Sequence, residues 1–261
     1  YVIYIIFAFY SKKPLKSVSL YAIMTRYSNY QAHKKLKLQI YTAVKTALGG
    51  ISLKAYTTEN IRNVAIAGHG GRGKTTLAEA MLYLSGSSDR LGRVADGNTV
   101  LDFDAEEKRR KVSVSSAMAY IEWNNKKVNI IDSPGLFDFE GGRSEALRAC
   151  ETAVVVLAAG GGVDVGAEKA LRAAGRRGLS KFIAVTKCDA ENADFYKTLD
   201  ALKEQYGTAI CPVVVPFMQD GKVDCYVNFL QGKAFKYQNG KATEVPVPED
   251  AVISGIHEAF T

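Results

Sequence analysis

From Arg62 onward, short apolar runs alternate with stretches in which apolar positions recur at helical spacing. Arg62–Ala67 is an apolar run that enters a Gly-rich loop, as a buried strand does. Thr75–Ser85 places Leu77, Ala80, Met81 and Leu84 on one face of an expected helix. Residues 86–112 are polar, charged and without periodicity, and read as a long functional loop. Ala117–Trp123 and Lys127–Ile131 read as two strands turned at Asn124–Asn125. Ala153–Ala158 and Lys181–Thr186 have the character of parallel strands buried on both faces. Ala167–Arg177, closed by Gly178, and Asn192–Tyr206 read as helices. Such alternation predicts an α/β fold of three layers, a mostly parallel sheet between helices. Past Thr208 the texture changes. Val213–Pro216, Val223–Val227 and Ala234–Tyr237 are short strand-like runs with a hairpin signal at Asn239–Gly240, which predicts a small β-rich insert.

Three loops at the carboxyl ends of expected strands carry chemistry. The first, Gly68-His69-Gly70-Gly71-Arg72-Gly73-Lys74-Thr75 followed by Thr76, fits G-x-x-x-x-G-K-[ST] between a strand and a helix. Its glycines let backbone N–H groups curl around phosphates, and the following helix offers unpaired N–H groups to the anion. Lys74 would reach the β and γ phosphates, and the Thr75 hydroxyl would bind Mg²⁺. This makes the fold a P-loop NTPase fold. The second loop is Asp132-Ser133-Pro134-Gly135. There Asp132 would hold Mg²⁺ through water and the Gly135 N–H would sense the γ-phosphate; alone, this motif is also an ordinary turn. The third is Thr186-Lys187-Cys188-Asp189. A carboxylate at Asp189 can accept both the N1–H and the 2-amino protons of guanine, whereas adenine would leave it unpaired. Lys187 would pack on the base, and Thr186 would tie this loop to the first. The spacings, 58 residues from Lys74 to Asp132 and 57 from Asp132 to Asp189, keep the required order.

The net charge of +7 first points to nucleic acid. Its distribution changes that picture. Residues 1–55 hold nine Lys or Arg and no acid, leaving 25 basic against 27 acidic residues beyond them, a balance of −2. The basic character belongs to a leader, expected to be disordered or non-native, with an isolated helix at 31–47 as the other expectation. Its composition overlaps with an organelle transit peptide and with translated non-coding sequence; the scarcity of Arg favours the second. The apolar run 1–10 is shorter than the roughly 20 residues of a membrane span, and Lys12 and Lys13 follow it instead of preceding it as in a secretory signal. Neither a membrane nor DNA is expected as partner, and cytoplasmic location is expected unless the leader is a transit peptide. Cys150, Cys188, Cys211 and Cys225 show no C-x-x-C spacing and read as reduced structural thiols.

The segments NIRNVAIAGHGG, GKTTLAEAML, DRLGRVADGNTVLDFD, DSPG, GVDVGAEKALRAAGRRGL and KCDAENADF make Asn60–Asp194 resemble the GTP-binding (G) domain of elongation factor G and its paralogues. The resemblance implies a G domain over 56–208 and the start of a β-rich insert subdomain over 209–261. It implies GTP/GDP and Mg²⁺ as cofactors and GTP hydrolysis on the ribosome, in translocation or recycling. The implied partners are rRNA and ribosomal proteins, met by a monomer. Lys74 and Gly135 take the catalytic places. Lys111-Val112-Ser113-Val114 aligns with the segment that usually reads Gly-Ile-Thr-Ile, so Ser113 joins Thr75 and Asp132 as a metal-side residue. There are departures. The residue after the D-x-P-G motif is usually a water-positioning His and here is Leu136, which implies slow hydrolysis, or a nucleotide-responsive ribosome-binding module that hydrolyses little. Arg72 in the phosphate loop either adds a cation near the phosphates or points to solvent, solvent being favoured. The family's Ser-Ala loop and its tRNA-mimicking domains are not seen before Thr261, which implies a fragment; a ribosomal protection-type factor shares the same domain.

Overall fold

The computed structural model describes residues 4–8, 54–219, 222–238 and 241–249. The chain divides into a unit of Tyr1–Tyr10 with Asn60–Thr261 and a second unit, Ser11–Glu59, of which only 54–59 are described. In the first unit the strands β1 (Tyr4–Ala8), β2 (Ile61–Gly68), β3 (Ala117–Trp123), β4 (Lys126–Asp132), β5 (Thr152–Ala158), β6 (Ser180–Thr186) and β7 (Ile210–Pro212) form one sheet in the order β3-β4-β2-β5-β6-β1-β7. β4, β2, β5 and β6 run parallel; β3 is antiparallel to β4, and β1 is antiparallel to β6 and β7. A second, antiparallel sheet holds β8 (Val214–Gln219), β9 (Lys222–Asn228), β10 (Lys233–Gln238) and β11 (Lys241–Val245). This is the mostly parallel sheet and terminal β-rich element expected.

Helices α1 (Lys74–Leu84), α2 (Ala105–Arg110), α3 (Glu140–Arg148), α4 (Val165–Arg176) and α5 (Phe195–Tyr206) alternate with these strands. Three apolar clusters hold the layers together. Leu77, Ala78 and Leu82 of α1 pack with Ile66, Ile130 and Leu101. Ala170, Leu171, Leu199 and Leu202 of α4 and α5 pack with Val155, Leu157, Ile183 and Val185, and this cluster continues into Val215, Tyr226 and Val227 of the second sheet. Ala146 and Leu147 of α3 pack with Ala65 and Ala153. Full burial of each large aliphatic side chain contributes about 1.5–3 kcal/mol. The register puts Ile66 beside Asp132, Gly68 beside Val156 and Ala158 beside Thr186, so β2, β4 and β6 finish along one sheet edge.

Several local expectations need correction. The buried face of α1 is Lys74, Thr75, Leu77, Ala78, Glu79 and Leu82, while Leu84 is 82% exposed. The cause is tertiary: loop residues around Leu101 cover the helix from a side that periodicity alone leaves to solvent. The long loop 86–112 contains α2, started by a capping box between Asp104 and Glu107. Tyr4–Ala8, placed by composition in a disordered leader, forms a strand whose backbone pairs β6 on one side and β7 on the other. An apolar run rich in Ile and aromatic residues suits such an interior strand position. The helix expected at 31–47 and the turn residues Asn239 and Gly240 lie outside the described residues. Asn124 and Asn125 take the paired positive φ angles, 46° and 59°, of a tight hairpin turn. No helix among the described residues is long and apolar enough to cross a membrane.

Candidate functional site

At the end of β2 the chain turns through Gly68, Gly71 and Gly73, whose φ angles of 133°, 71° and 86° suit glycine. The turn delivers Lys74 and Thr75 into the first turn of α1, where both are buried. Lys74 Nζ donates to the His69 carbonyl at 2.9 Å, so the loop is closed around its own lysine. Burial holds the Lys74 pKa below the usual amine value, opposed by Asp132, Asp164 and Asp102. Those three acids place negative charge around a cation in a setting that water screens poorly.

Thr75 Oγ1 donates to Asp132 Oδ2 at 2.6 Å, linking the first loop to the end of β4. Ser113 Oγ donates to Asp102 Oδ1 at 2.7 Å and lies 3.1 Å from Thr75 Oγ1. The two hydroxyls are within hydrogen-bonding distance of each other, and either can be the donor. Asp132 Oδ1 and Asp102 Oδ2 are buried and lack a hydrogen-bond partner among the described residues. Burial pushes the Asp132 pKa up to about 7 and raises that of Asp102. Two hydroxyl oxygens facing each other and two unpaired carboxylate oxygens suit a hard divalent cation such as Mg²⁺, which is bound by one or two carboxylates together with substrate phosphates.

The third loop joins through one hydroxyl. Thr186 Oγ1 contacts the Arg72 carbonyl at 2.6 Å and the Leu157 carbonyl at 3.0 Å. Beyond it Lys187 takes a positive φ of 55°, and Lys187 and Asp189 are exposed. Gly135 fits only as glycine: a Cβ there would meet Gly70 N at 2.7 Å and fall on Lys74 Nζ. Leu136 lies over the phosphate loop, its Cδ2 3.0 Å from where a Cβ of Gly70 would stand. The His69 ring lies 5.6 Å from that of Phe137, with Lys169 of α4 over the other ring at 4.5 Å.

The structure therefore brings together Gly68 to Thr76, Ser113, Asp132, Gly135 and Thr186, with Lys187 and Asp189 at the outer end of the same loop system. Arg72 differs from the favoured expectation: its Nε pairs with Asp164 Oδ2 at 3.0 Å, and its side chain is 33% exposed. The reason is local, because Asp164 caps α4 by accepting the Ala167 N–H and so sits fixed beside the loop. Sequence reasoning missed Asp102, which lies in an aperiodic loop and is identified only by its contact with Ser113. It missed Glu107 as well, although the spacing Asp104-x-x-Glu107 is a readable capping-box signal. None of the four cysteines forms a disulfide among the described residues.

A glycine-rich turn between strand and helix, a buried aspartate at a neighbouring strand end and a third loop tied to the first define a P-loop nucleotide-binding α/β domain. Comparison narrows the class: the profile of the elongation factor Tu GTP binding domain matches residues 59–255. The chain belongs to this family of GTP-binding domains. It is 34% identical over 196 residues to elongation factor G of Granulibacter bethesdensis, covering 74% of this chain and 28% of that protein. It is 36% identical over 174 residues to mitochondrial ribosome-releasing factor 2 of Culex quinquefasciatus, covering 67% of this chain and 23% of that protein. A crystal structure of a Thermus thermophilus protein superposes with a TM-score of 0.71 at 37% identity, over 76% of this chain and 30% of the other. The chain thus spans about a quarter of the length of these curated relatives and matches the GTP-binding domain of an elongation factor G-like translational GTPase.

Proposed function

We propose that this chain binds GTP and GDP together with Mg²⁺, and that as part of an elongation factor G-like protein it hydrolyses GTP on the ribosome. The observation that carries this reading is the linkage of all three loops at one sheet edge through Thr75–Asp132 and Thr186–Arg72. The backbone of Gly68, His69, Gly70, Gly71, Arg72 and Gly73, with Lys74, Thr75 and Thr76, holds the phosphates. Thr75, Ser113, Asp132 and Asp102 face the metal, which when bound neutralises charge on the phosphate oxygens. Lys74 stabilises charge that develops during transfer, and the Gly135 N–H marks the presence of the terminal phosphate. Lys187 and Asp189 take the base.

Guanine selectivity is tested by displacing a fluorescent GDP with unlabelled GTP or ATP. GTP should displace it and ATP should not; equal displacement by ATP would overturn the assignment of Asp189. Leu136 offers no hydrogen bond to an attacking water. Hydrolysis is therefore expected to be slow, and single-turnover rates with and without ribosomes measure it. Rapid multiple turnover on ribosomes would contradict the role given to Leu136. A second reading, a ribosome-binding module that changes state with nucleotide and hydrolyses little, rests on the same residue and predicts no ribosome stimulation at all. A ribosomal protection-type role shares this domain and is separated by activity of the whole protein. Recognition of rRNA and ribosomal proteins by a monomer, in cytoplasm or organelle, completes the proposal.

A further inference from the structure

Ser113 hangs from a segment with no regular structure, between the end of α2 at Arg110 and the start of β3 at Ala117. A metal-facing hydroxyl on such a segment needs something to hold it within a few tenths of an ångström. The structure supplies one group for this. Glu107 is 1% exposed, and its two carboxylate oxygens are both engaged. Oε1 accepts the Val114 N–H at 2.9 Å, the Ser115 N–H at 3.1 Å and the Ser115 hydroxyl at 3.3 Å. Oε2 accepts the Asp104 N–H at 3.2 Å, closing the capping box of α2. The carboxylate thus grips the two residues that follow Ser113, while Asp104, the N-cap it also holds, lies two residues after Asp102. Burying a charged group is costly unless it is hydrogen-bonded, and this one is bonded almost wholly to backbone N–H groups of the loop. A cap for a helix of six residues needs less; the contacts to Val114 and Ser115 have no part in capping.

We infer that Glu107 is a positioning residue of the metal side of the site: it fixes the backbone of 114–115 and so holds the Ser113 hydroxyl against Thr75 and Asp102. The inference rests on the proposal that Ser113 faces Mg²⁺. Its consequence is specific to the metal. Loss of the Glu107 carboxylate leaves the phosphate loop, Lys74 and the base loop in place, but lets Ser113 wander.

The test uses the full chain and a fluorescent, non-hydrolysable GTP analogue titrated across Mg²⁺ concentrations, with metal-free GDP binding alongside. Glu107→Ala should raise the Mg²⁺ concentration giving half-maximal analogue binding by about tenfold, the lower end of what loss of a group supporting a metal ligand typically causes. Metal-free GDP affinity should stay within about twofold. Glu107→Gln should fall between, because its carbonyl oxygen still accepts from Val114 and Ser115 while its amide cannot accept from Asp104. Being isosteric, it also keeps the test open if the alanine variant fails to fold. In a double-mutant cycle with Ser113→Ala, the Glu107→Ala effect on the Mg²⁺ midpoint should vanish. An unchanged midpoint, a parallel loss of metal-free GDP binding, or an effect that persists undiminished without Ser113 would each overturn the inference. Failure of the underlying reading looks different: wild-type chain whose analogue binding ignores Mg²⁺.

Discussion

At residue scale the site depends on a few atoms with no room to move. Gly135 is one. Gly135→Ala would press a methyl group onto Lys74 Nζ and Gly70 N, and crowding of this kind costs roughly 1–3 kcal/mol. Triphosphate affinity should fall by about tenfold or more, while metal-free GDP binding, which does not use the Gly135 N–H, should fall less; equilibrium titration with both nucleotides checks this. Cys188 reports the other end. It sits half-buried between Lys187 and Asp189, whereas Cys150 is buried and its thiol is pushed up to about 12, chiefly by burial. Neutral-pH alkylation should therefore spare Cys150 in the folded chain. It should modify Cys188 at a rate that GDP slows and ATP does not, read by mass spectrometry; modification indifferent to GDP would place the base elsewhere. The residues legible in the sequence were those whose chemistry fixes their type at a strand end, Asp132 and Thr186, or at the helix start after a glycine-rich turn, Lys74 and Thr75. Asp102 was not, because an aspartate in an aperiodic loop carries no local mark of what it faces. The pairing of Arg72 with Asp164, 92 positions along the chain, was equally invisible.

At the scale of elements, the loop 86–112 is the part that pattern described least. Polar composition hid two buried glutamates that organise it from opposite ends. Glu79 of α1 accepts the Val100 and Leu101 N–H groups at 2.8 and 3.1 Å, just ahead of Asp102, and Glu107 secures the far side. A helix read only by its apolar stripe would turn Leu84 inward and Glu79 outward; the loop reverses this by offering Glu79 its backbone. Glu79→Ala should leave two N–H groups without their acceptor, at roughly 1–3 kcal/mol for each that stays buried. The expected signs are a lower unfolding midpoint and faster amide exchange at Val100 and Leu101 than at the core strand β5. Unchanged exchange there would show that the loop holds its shape without Glu79. The parallel strands, by contrast, were legible because burial on both faces leaves apolar runs that no surface segment imitates.

At the scale of the whole molecule, ligand binding and stability are linked. GDP at about 100 times its dissociation constant should stabilise the chain by roughly 2.7 kcal/mol, and ATP should add nothing. A thermal unfolding series with GDP, GTP and ATP, with Mg²⁺ or a chelator, tests this directly; an equal upward shift with ATP would contradict a guanine site. The single Thr186 hydroxyl that touches the carbonyls of Arg72 and Leu157 has a further consequence. Because one side chain spans the junction, the two ends of a nucleotide do not meet independent receptors. Guanosine and pyrophosphate offered as separate molecules should assist one another's binding, and replacing this hydroxyl with a methyl in Thr186→Val should make each indifferent to the other.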